Sequence, residues 1–247
     1  MDLNRIVASS CSNPKMNLDG VLAAHAGLGY RKFEAFTGWA ASALDIDADP
    51  DAYVRKAASH GIRFASCHLP AVTDDYDASL ARSIHAAHFA EGIGAPIVLF
   101  KASSRDNYIK AAAAFLDAIA GLSVTSVLQN HAGTAITTLD DFREVIAGIN
   151  DTRMKTLLEV GHFHAVGVSW RRGCELLGDS IALIHVKDMK GAQSVPFGTG
   201  EVDLAGLVRH MQARGYEGDY VVEMEVKDAE NTIRYLGDAL HYLLEIG

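Results

Sequence analysis

The chain has 247 residues, of which 49% are hydrophobic and 21% are charged, and its formal net charge is −9. A chain of this size and composition can bury a substantial core, which argues against intrinsic disorder. The negative charge argues against a general nucleic-acid binder and against a binder of anionic membranes, because both need a positive surface. A few local lysines or arginines would still suffice to bind an anionic small molecule.

Cysteine usage and the N-terminal segment predict a cytoplasmic protein. The three cysteines, Cys11, Cys67 and Cys174, are widely spaced and form neither a CxxC nor a zinc-binding pattern. Reduced thiols of this kind are typical of the cytosol. The first residues, MDLNRIVASSCSNPK, lack the apolar stretch of a signal peptide, and no apolar run approaches the ~20 residues of a membrane span. We therefore expect no membrane partner.

Short apolar or β-branched runs alternate with segments of helical periodicity along the chain. The predicted strands cover residues 5–9, 31–35, 63–67, 96–101, 123–129, 154–159, 181–186 and 220–225. Apolar stripes at helical spacing separate them, as in Leu204, Leu207, Val208 and Met211. Eight strand–helix units in a chain of this length match the about 250 residues of a (β/α)₈ barrel. The sequence thus predicts an α/β fold, with residues 1–247 forming a single (β/α)₈ TIM-barrel domain.

A doubly wound open sheet is the alternative architecture for such an alternating pattern. That fold would be attractive if a nucleotide-binding signature were present, but neither GxGxxG nor GxxxxGK[ST] occurs in the chain. The glycine pair Gly198 and Gly200 lies late in the chain and is not a phosphate-binding fingerprint. We therefore favour the barrel.

Polar side chains occur where four late strands end, in the segments SVLQNH, TLLEVGHFH, ALIHVKD and YVVEME. Side chains alternate between the two faces of a strand, so each polar residue shares a face with the residue two positions earlier. These pairs are Gln129 with Val127, Glu159 with Leu157, His185 with Leu183, and Glu223 with Val221. If the apolar members fill the barrel, the polar members form one inward layer above them, at the end where such barrels carry their active sites.

This set of two carboxylates, one imidazole and one amide oxygen suits a divalent metal ion. Mn²⁺ is our first expectation, and Mg²⁺, Co²⁺ and Zn²⁺ are the alternatives. Each of the four residues taken alone would more often be a solvated or hydrogen-bonded side chain than a ligand. Together they favour a metal site, because burying Glu159 and Glu223 side by side without a cation would be costly.

The same segments resemble the xylose-isomerase-like sugar phosphate isomerase/epimerase family, which includes ketose 3-epimerases, hydroxypyruvate isomerase, inosose isomerase and inosose dehydratase. NLDGVLAAHAGLGYRKFEAF resembles the family's first helix and the start of its second strand. LLEVGHFHAVG, IHVKD, FGTGEVDL and GYEGDYVVEME resemble four further family motifs in the same order. The resemblance spans nearly the whole chain. It implies a TIM barrel that acts on a small carbohydrate and forms a homo-oligomer, either a dimer or a tetramer.

Carried over by position, the resemblance places the metal ligands at Gln129, Glu159, His185 and Glu223, and a substrate-contacting histidine at His162. Two positions depart from the family pattern, since Glu159 stands where the family has Asp and Gln129 stands where it has Glu. An amide cannot serve as a general base near neutral pH. Epimerisation by two bases, Gln129 and Glu223, is therefore not expected.

Three functions remain open. The leading hypothesis is a metal-dependent isomerase or epimerase of a small hydroxyketone, keto-sugar or cyclitol, in which Glu223 removes a proton next to a carbonyl and the metal stabilises the enediolate. The second is a dehydratase or lyase that uses the same site for β-elimination, with His162 protonating the leaving group. The third is a non-catalytic family member that binds a sugar or a partner protein. A DNA-repair endonuclease is disfavoured by the acidic composition and by Gln129.

Lys101 and His68 are further candidates on earlier strands. Lys101 shares the inward face with Leu99 and could bind a carboxylate or phosphate, act as an acid, or extend to solvent at the barrel rim. His68 could contact substrate, donate a hydrogen bond to Glu159, or be structural.

Three more residues are candidates for lining the site or contacting the substrate, and one neighbour is expected to support them. Lys187 has inward parity and could contact the substrate, while Asp188 is expected to orient neighbouring groups. Trp39 could stack on a sugar or pack within the protein. Glu34 could line the site only if it faces inward, and the apolar residues on either side of it compete for that face.

Overall fold

The computed structural model describes residues 1–247 and consists of ten strands and nine helices. The strands are β1 Ile6–Ser9, β2 Lys32–Phe36, β3 Arg63–His68, β4 Ile97–Leu99, β5 Thr125–Gln129, β6 Lys155–Glu159, β7 Ile181–Val186, β8 Asp188–Lys190, β9 Gln193–Val195 and β10 Asp219–Val222. The helices are α1 Leu18–Leu28, α2 Pro50–Ser59, α3 Tyr76–Gly92, α4 Arg105–Ala118, α5 Leu139–Ile149, α6 Val160–Ala165, α7 Trp170–Leu177, α8 Leu204–Ala213 and α9 Thr232–Ile246.

Eight parallel strands close into a barrel in the order β1-β10-β7-β6-β5-β4-β3-β2. The barrel is closed by β1 and β10, which pair over Ile6↔Tyr220, Val7↔Val221 and Ala8↔Val222. Each strand is followed by one helix or a helix pair, which confirms the predicted (β/α)₈ barrel. The antiparallel pair β8–β9, between β7 and α8, was not predicted from the sequence.

The largest difference between the observed and predicted strands is at the carboxyl end of the last barrel strand. The last barrel strand ends at Val222 rather than at residue 225. Beyond it, the backbone N–H of Glu223 still donates to the carbonyl of Val186 at 3.1 Å, but that of Met224 donates to the Ser12 hydroxyl at 2.9 Å. The chain leaves the ladder here because its next partner is a loop side chain, which hydrophobic periodicity does not reveal.

A layer of apolar side chains fills the inside of the barrel. It consists of Val7, Ala65, Leu99, Val127, Leu157, Leu183 and Val221. All four apolar residues that were expected to face inward belong to this layer. A shift of one residue in any of these strands would exchange its inward and outward faces, so this packing also fixes the strand register.

No helix of the protein combines the length and the apolar character needed to cross a lipid bilayer.

Candidate active site

Four side chains predicted to bind a metal meet at the carboxyl ends of β5, β6, β7 and β10. Nδ1 of His185 lies 3.2 Å from Oε2 of Glu159, 3.2 Å from Oε1 of Glu223 and 3.5 Å from Nε2 of Gln129. One ligand atom from each of Glu159, His185 and Glu223 lies within 4.8 Å of the other two. The structure therefore brings the predicted set together, and all four side chains are buried.

The surroundings of Glu159 indicate that this set fits a divalent cation. Its Oε1 accepts a hydrogen bond from the backbone N–H of Gly161 at 2.9 Å, whereas its buried Oε2 accepts no hydrogen bond of good geometry and has Nδ1 of His185 3.2 Å away. A carboxylate oxygen buried in this way is costly unless a cation or a donor faces it. Turning the amide of Gln129 by 180° would direct its oxygen toward the same point. Two carboxylates, one imidazole and one amide oxygen thus remain a chemically suitable donor set.

Glu34 on β2 orients His185 by contacting the ring nitrogen that faces away from the other predicted ligands. Nε2 of His185 lies 3.0 Å from Oε2 of Glu34. Glu34 also accepts hydrogen bonds from the hydroxyls of Ser9 and Ser66, at 3.0 and 2.8 Å. This arrangement fixes the ring with Nδ1 facing the other predicted ligands, as carboxylates commonly do behind a metal-binding histidine.

The sequence alone does not determine whether Glu34 faces into the barrel, because its neighbours Phe33 and Ala35 are both apolar. In the barrel those two side chains pack outward in the large core between strands and helices, so Glu34 faces inward and is fully buried. Its pairing with His185 joins residues 151 positions apart, which no local pattern reveals.

The electrostatics of this cluster favour ionised groups. Burial alone would lower the pKa of His185, but the carboxylates of Glu34 and Glu223 raise it well above its ordinary value. Burial alone would raise the pKa of Glu34, but His185 and His68 hold it well below its ordinary value. Since a metal ligand must be unprotonated, a divalent ion would bind at Nδ1 in place of a proton.

We predict that Glu34→Gln weakens Mn²⁺ binding by about 10- to 100-fold, because His185 loses the charged partner that orients it. Isothermal titration calorimetry of folded protein checks this. Glu201→Gln is the control, since Glu201 lies 3.2 Å from His164 on the exposed surface. Equal affinities in the parent and in Glu34→Gln would contradict the orienting role.

Lys187 lies beside Glu223 and does not face the open part of the site. Its Nζ is 2.9 Å from Oε2 of Glu223 and 2.5 Å from Oε2 of Glu225, and the residue is 2% exposed. Burial would raise the pKa of Glu223, but Lys187 and then His185 hold it well below its ordinary value. Lys187, which the sequence predicts to contact the substrate, therefore contacts Glu223 from within the protein rather than from the cavity.

A cavity of about 580 Å³ opens above this cluster. The predicted residues that line it are Gln129, Glu223, His162, His68, Lys101 and Trp39. By contrast, Glu159, His185 and Lys187 lie beneath its surface. The volume falls within the range of about 300–1,000 Å³ that is usual for small-molecule sites.

Aromatic rings form much of the cavity wall. His68 stacks on Phe36 with ring centroids 3.8 Å apart, and Nε2 of His68 lies 3.1 Å from Oε1 of Glu34. Trp39 is 68% exposed at the rim and has a left-handed backbone, with φ of 72°. Its indole is therefore available to a ligand, as the stacking hypothesis requires.

Both predicted histidines of the wall are neutral at pH 7. Burial lowers the pKa of His162 to about 4, with Lys187 adding to the effect. Burial likewise lowers the pKa of His68 to about 4, with Lys101 adding to the effect. Neither side chain carries a proton that it can readily give up near neutrality, so the predicted role of His162 in protonating a leaving group is disfavoured.

Two polar residues shape the site without reaching the cavity. Asn130 is buried and exchanges two hydrogen bonds with the backbone of Glu159, at 2.9 and 3.0 Å. Asp188 accepts hydrogen bonds from the backbone N–H groups of Gly198 and Gly200, each at 2.9 Å. Asp188 therefore orients its neighbours as expected. Asn130 was missed, although it directly follows Gln129 in the strand-end segment SVLQNH.

Comparison with known proteins identifies relatives of the whole barrel. A family model described as "Xylose isomerase-like TIM barrel" matches residues 22–246. An L-ribulose-5-phosphate 3-epimerase, UlaE, of Salmonella paratyphi C (strain RKS4594) is 31% identical over 93 residues. That match covers 37% of this chain and 26% of the epimerase, so it spans about a quarter of the relative's length.

Solved structures share the fold at low sequence identity. The probable 3-DHS dehydratase AsbF of Bacillus anthracis has a TM-score of 0.79 and 12% identity, over 97% of this chain and 98% of that one. An IolI protein with a bound zinc atom has a TM-score of 0.77 and 15% identity, over 98% of this chain and 97% of that one. These two structures show that the barrel fold is shared over nearly the whole length of both chains.

Proposed function

The chain belongs to the xylose isomerase-like TIM-barrel family, and from this premise we propose that it is a divalent-metal-dependent isomerase or epimerase of a small hydroxyketone, keto-sugar or cyclitol. One observation carries the proposal. The buried Oε2 of Glu159, which accepts no hydrogen bond of good geometry, lies 3.2 Å from Nδ1 of His185 and close to Glu223, beneath a cavity of about 580 Å³. Mn²⁺ is the first cation to test, followed by Mg²⁺, Co²⁺ and Zn²⁺.

Glu223 is the residue placed to move the proton. It lines the cavity and is ionised at neutral pH, because Lys187 and His185 hold its pKa low. The same pairing makes it a weak base, and loss of its contact with Lys187 would raise its basicity. When bound, the divalent cation supplies electrostatic stabilisation of the negative charge that develops on the substrate oxygens.

Gln129 limits the stereochemical outcome. Its amide can accept a hydrogen bond from a substrate hydroxyl or lend its oxygen to the cation, but it cannot take up or return a proton. A proton removed by Glu223 then returns from the same side chain. This arrangement favours aldose–ketose isomerisation over two-base epimerisation.

A dehydratase or lyase is the second candidate, and Gln129 is the observation that favours it. With a single carboxylate base, Glu223 takes the proton and a separate acid must protonate the departing hydroxyl. His162 is neutral, so it can donate a hydrogen bond but is a poor acid. The ammonium group of Lys101 on the same cavity wall is the better acid for this step.

The test follows solvent deuterium by NMR in keto-sugars and ketocyclitols incubated with Mn²⁺-loaded protein in D₂O. Isomerisation places deuterium at the carbon next to the carbonyl without loss of a hydroxyl, whereas elimination yields an unsaturated product. Removing the metal with a chelator is expected to abolish either signal, and Mn²⁺ should restore it. Tight sugar binding with neither exchange nor elimination would instead favour the non-catalytic binder.

The three free cysteines support the proposal of a cytoplasmic location. The family resemblance supports a homo-oligomer, a dimer or tetramer. Sedimentation equilibrium measures that state directly, and a monomer at micromolar concentration would contradict it.

A further inference from the structure

Lys101 is a cation of the cavity wall that has no carboxylate of the protein within ion-pair distance. It lies just beyond β4, and the contact described for its Nζ is the ring of Phe36, 5.5 Å from the ring centroid. The other lysine of this region, Lys187, makes two ion pairs, whereas Lys101 makes none. A cation partly removed from water in this way is costly unless a negative group approaches it.

The carboxylates that line the cavity are already engaged. Only two acidic residues, Glu223 and Glu225, are among its lining residues, and Lys187 lies within 2.9 Å of a carboxylate oxygen of each. No acidic side chain of the cavity is therefore left to neutralise Lys101. Burial lowers the pKa of Lys101, and the carboxylates of Glu34 and Glu223 oppose this only from beyond ion-pair distance. An anionic ligand would supply the direct partner that the protein does not.

We propose that Lys101 forms an anion subsite in the cavity wall, and that the substrate carries a carboxylate or phosphate group at the end held by this lysine. The identity of the reaction rests on the proposed function, but the anion subsite does not require it. Lys101 and Glu223 line the same cavity, so a single small substrate would reach both the anion subsite and the proposed base.

The neighbouring groups are compatible with an anion. His68 is a neutral imidazole and carries no competing negative charge. Burial raises the pKa of Tyr108 to about 12, so its phenol stays protonated on the same cavity lining. Groups of this kind would bind either a carboxylate or a phosphate. Two probes, one carrying each group, distinguish the two cases.

Calorimetry would compare D-glycerate, glycerol 3-phosphate and glycerol as probes of the folded full-length protein. The series is run on Mn²⁺-loaded protein and on chelator-treated protein, so that an anion bound to metal is not mistaken for one bound to Lys101. The variants are Lys101→Met, which removes the charge, and Lys101→Arg, which keeps it. Lys56→Met is the control, because Lys56 is a surface residue that lies 3.7 Å from Asp19.

At least one anion is expected to bind the parent more tightly than glycerol, in both metal states. Lys101→Met should weaken that binding by about 10- to 100-fold, the effect of losing a charge-assisted hydrogen bond. Lys101→Arg should retain most of it, and Lys56→Met all of it. The anion that binds more tightly, D-glycerate or glycerol 3-phosphate, identifies the substrate group.

Two results would overturn the subsite: equal anion binding by Lys101→Met and the parent, or no preference of the parent for either anion over glycerol. Mn²⁺ affinity measured on the same samples separates this from the proposed function. Loss of the anion preference with intact Mn²⁺ binding contradicts the subsite alone. Absence of Mn²⁺ binding in the parent contradicts the proposed function alone, since the chelator-treated series still reports on Lys101.

Discussion

Glu159→Gln is expected to weaken Mn²⁺ binding by more than about 100-fold, a larger effect than that of residues behind the ligands. The substitution keeps the shape of the side chain but removes the negative charge from the one buried carboxylate oxygen that has no hydrogen-bond partner. Titration calorimetry gives the affinity, and elemental analysis of the purified protein gives the metal content. Circular dichroism establishes that the variant is folded.

The opposite effect on Mn²⁺ affinity is expected from a substitution at Gln129. Gln129→Glu restores a third carboxylate around Nδ1 of His185 and should tighten Mn²⁺ binding by about 10-fold, since the site becomes one unit more negative. Glu175→Gln, on the exposed surface of α7, is the control for a change of one charge. Unaltered Mn²⁺ affinity in both Glu159→Gln and Gln129→Glu, with the control also unchanged, would rule out a metal at these residues.

Asp188→Ala is expected to lower the free energy of unfolding by about 3–5 kcal/mol. Asp188 is buried and accepts hydrogen bonds from the backbone N–H groups of Met189, Gly198 and Gly200 at 2.9 Å and of Val202 at 3.3 Å. Alanine would leave these donors without an acceptor. It would also release the segment between β8 and α8. Urea denaturation measures the change.

Asp203→Ala is the matched control for this loop. Asp203 caps α8 by accepting one hydrogen bond, from the backbone N–H of Gly206 at 2.7 Å. Loss of a cap costs about 1 kcal/mol, so Asp203→Ala should be clearly the milder variant. If Asp188→Ala proved no more destabilising than Asp203→Ala, the four hydrogen bonds to Asp188 would not hold the loop.

Gly200 shows why this aspartate and the glycine-rich loop occur together. A Cβ atom at position 200 would collide with the carboxylate of Asp188 and with the backbone carbonyl of Met189. The absence of a side chain therefore lets the loop backbone come close enough to donate its N–H. The segments IHVKD and FGTGEVDL, each of which resembles a separate family motif, thus meet in one physical contact.

The sequence alone determined the architecture and the inward layer of four polar side chains. Alternation along a strand has a period of two, so an apolar residue such as Val127 or Leu157 that faces the barrel interior places Gln129 or Glu159 on the same side. The length of the chain and the eight repeated units were sufficient for the barrel. These features depend on residues that are close together in the sequence, so the sequence is sufficient to predict them.

Only the tertiary structure decided which charges are paired. Glu34 turns inward because Phe33 and Ala35 pack against helices, and it meets His185 across the barrel. Lys187 forms ion pairs with Glu223 and Glu225, whereas Lys101 forms none. Partners of this kind come from strands that are distant in sequence. Whether a charge is paired depends on which groups the closed barrel brings within a few ångströms of it.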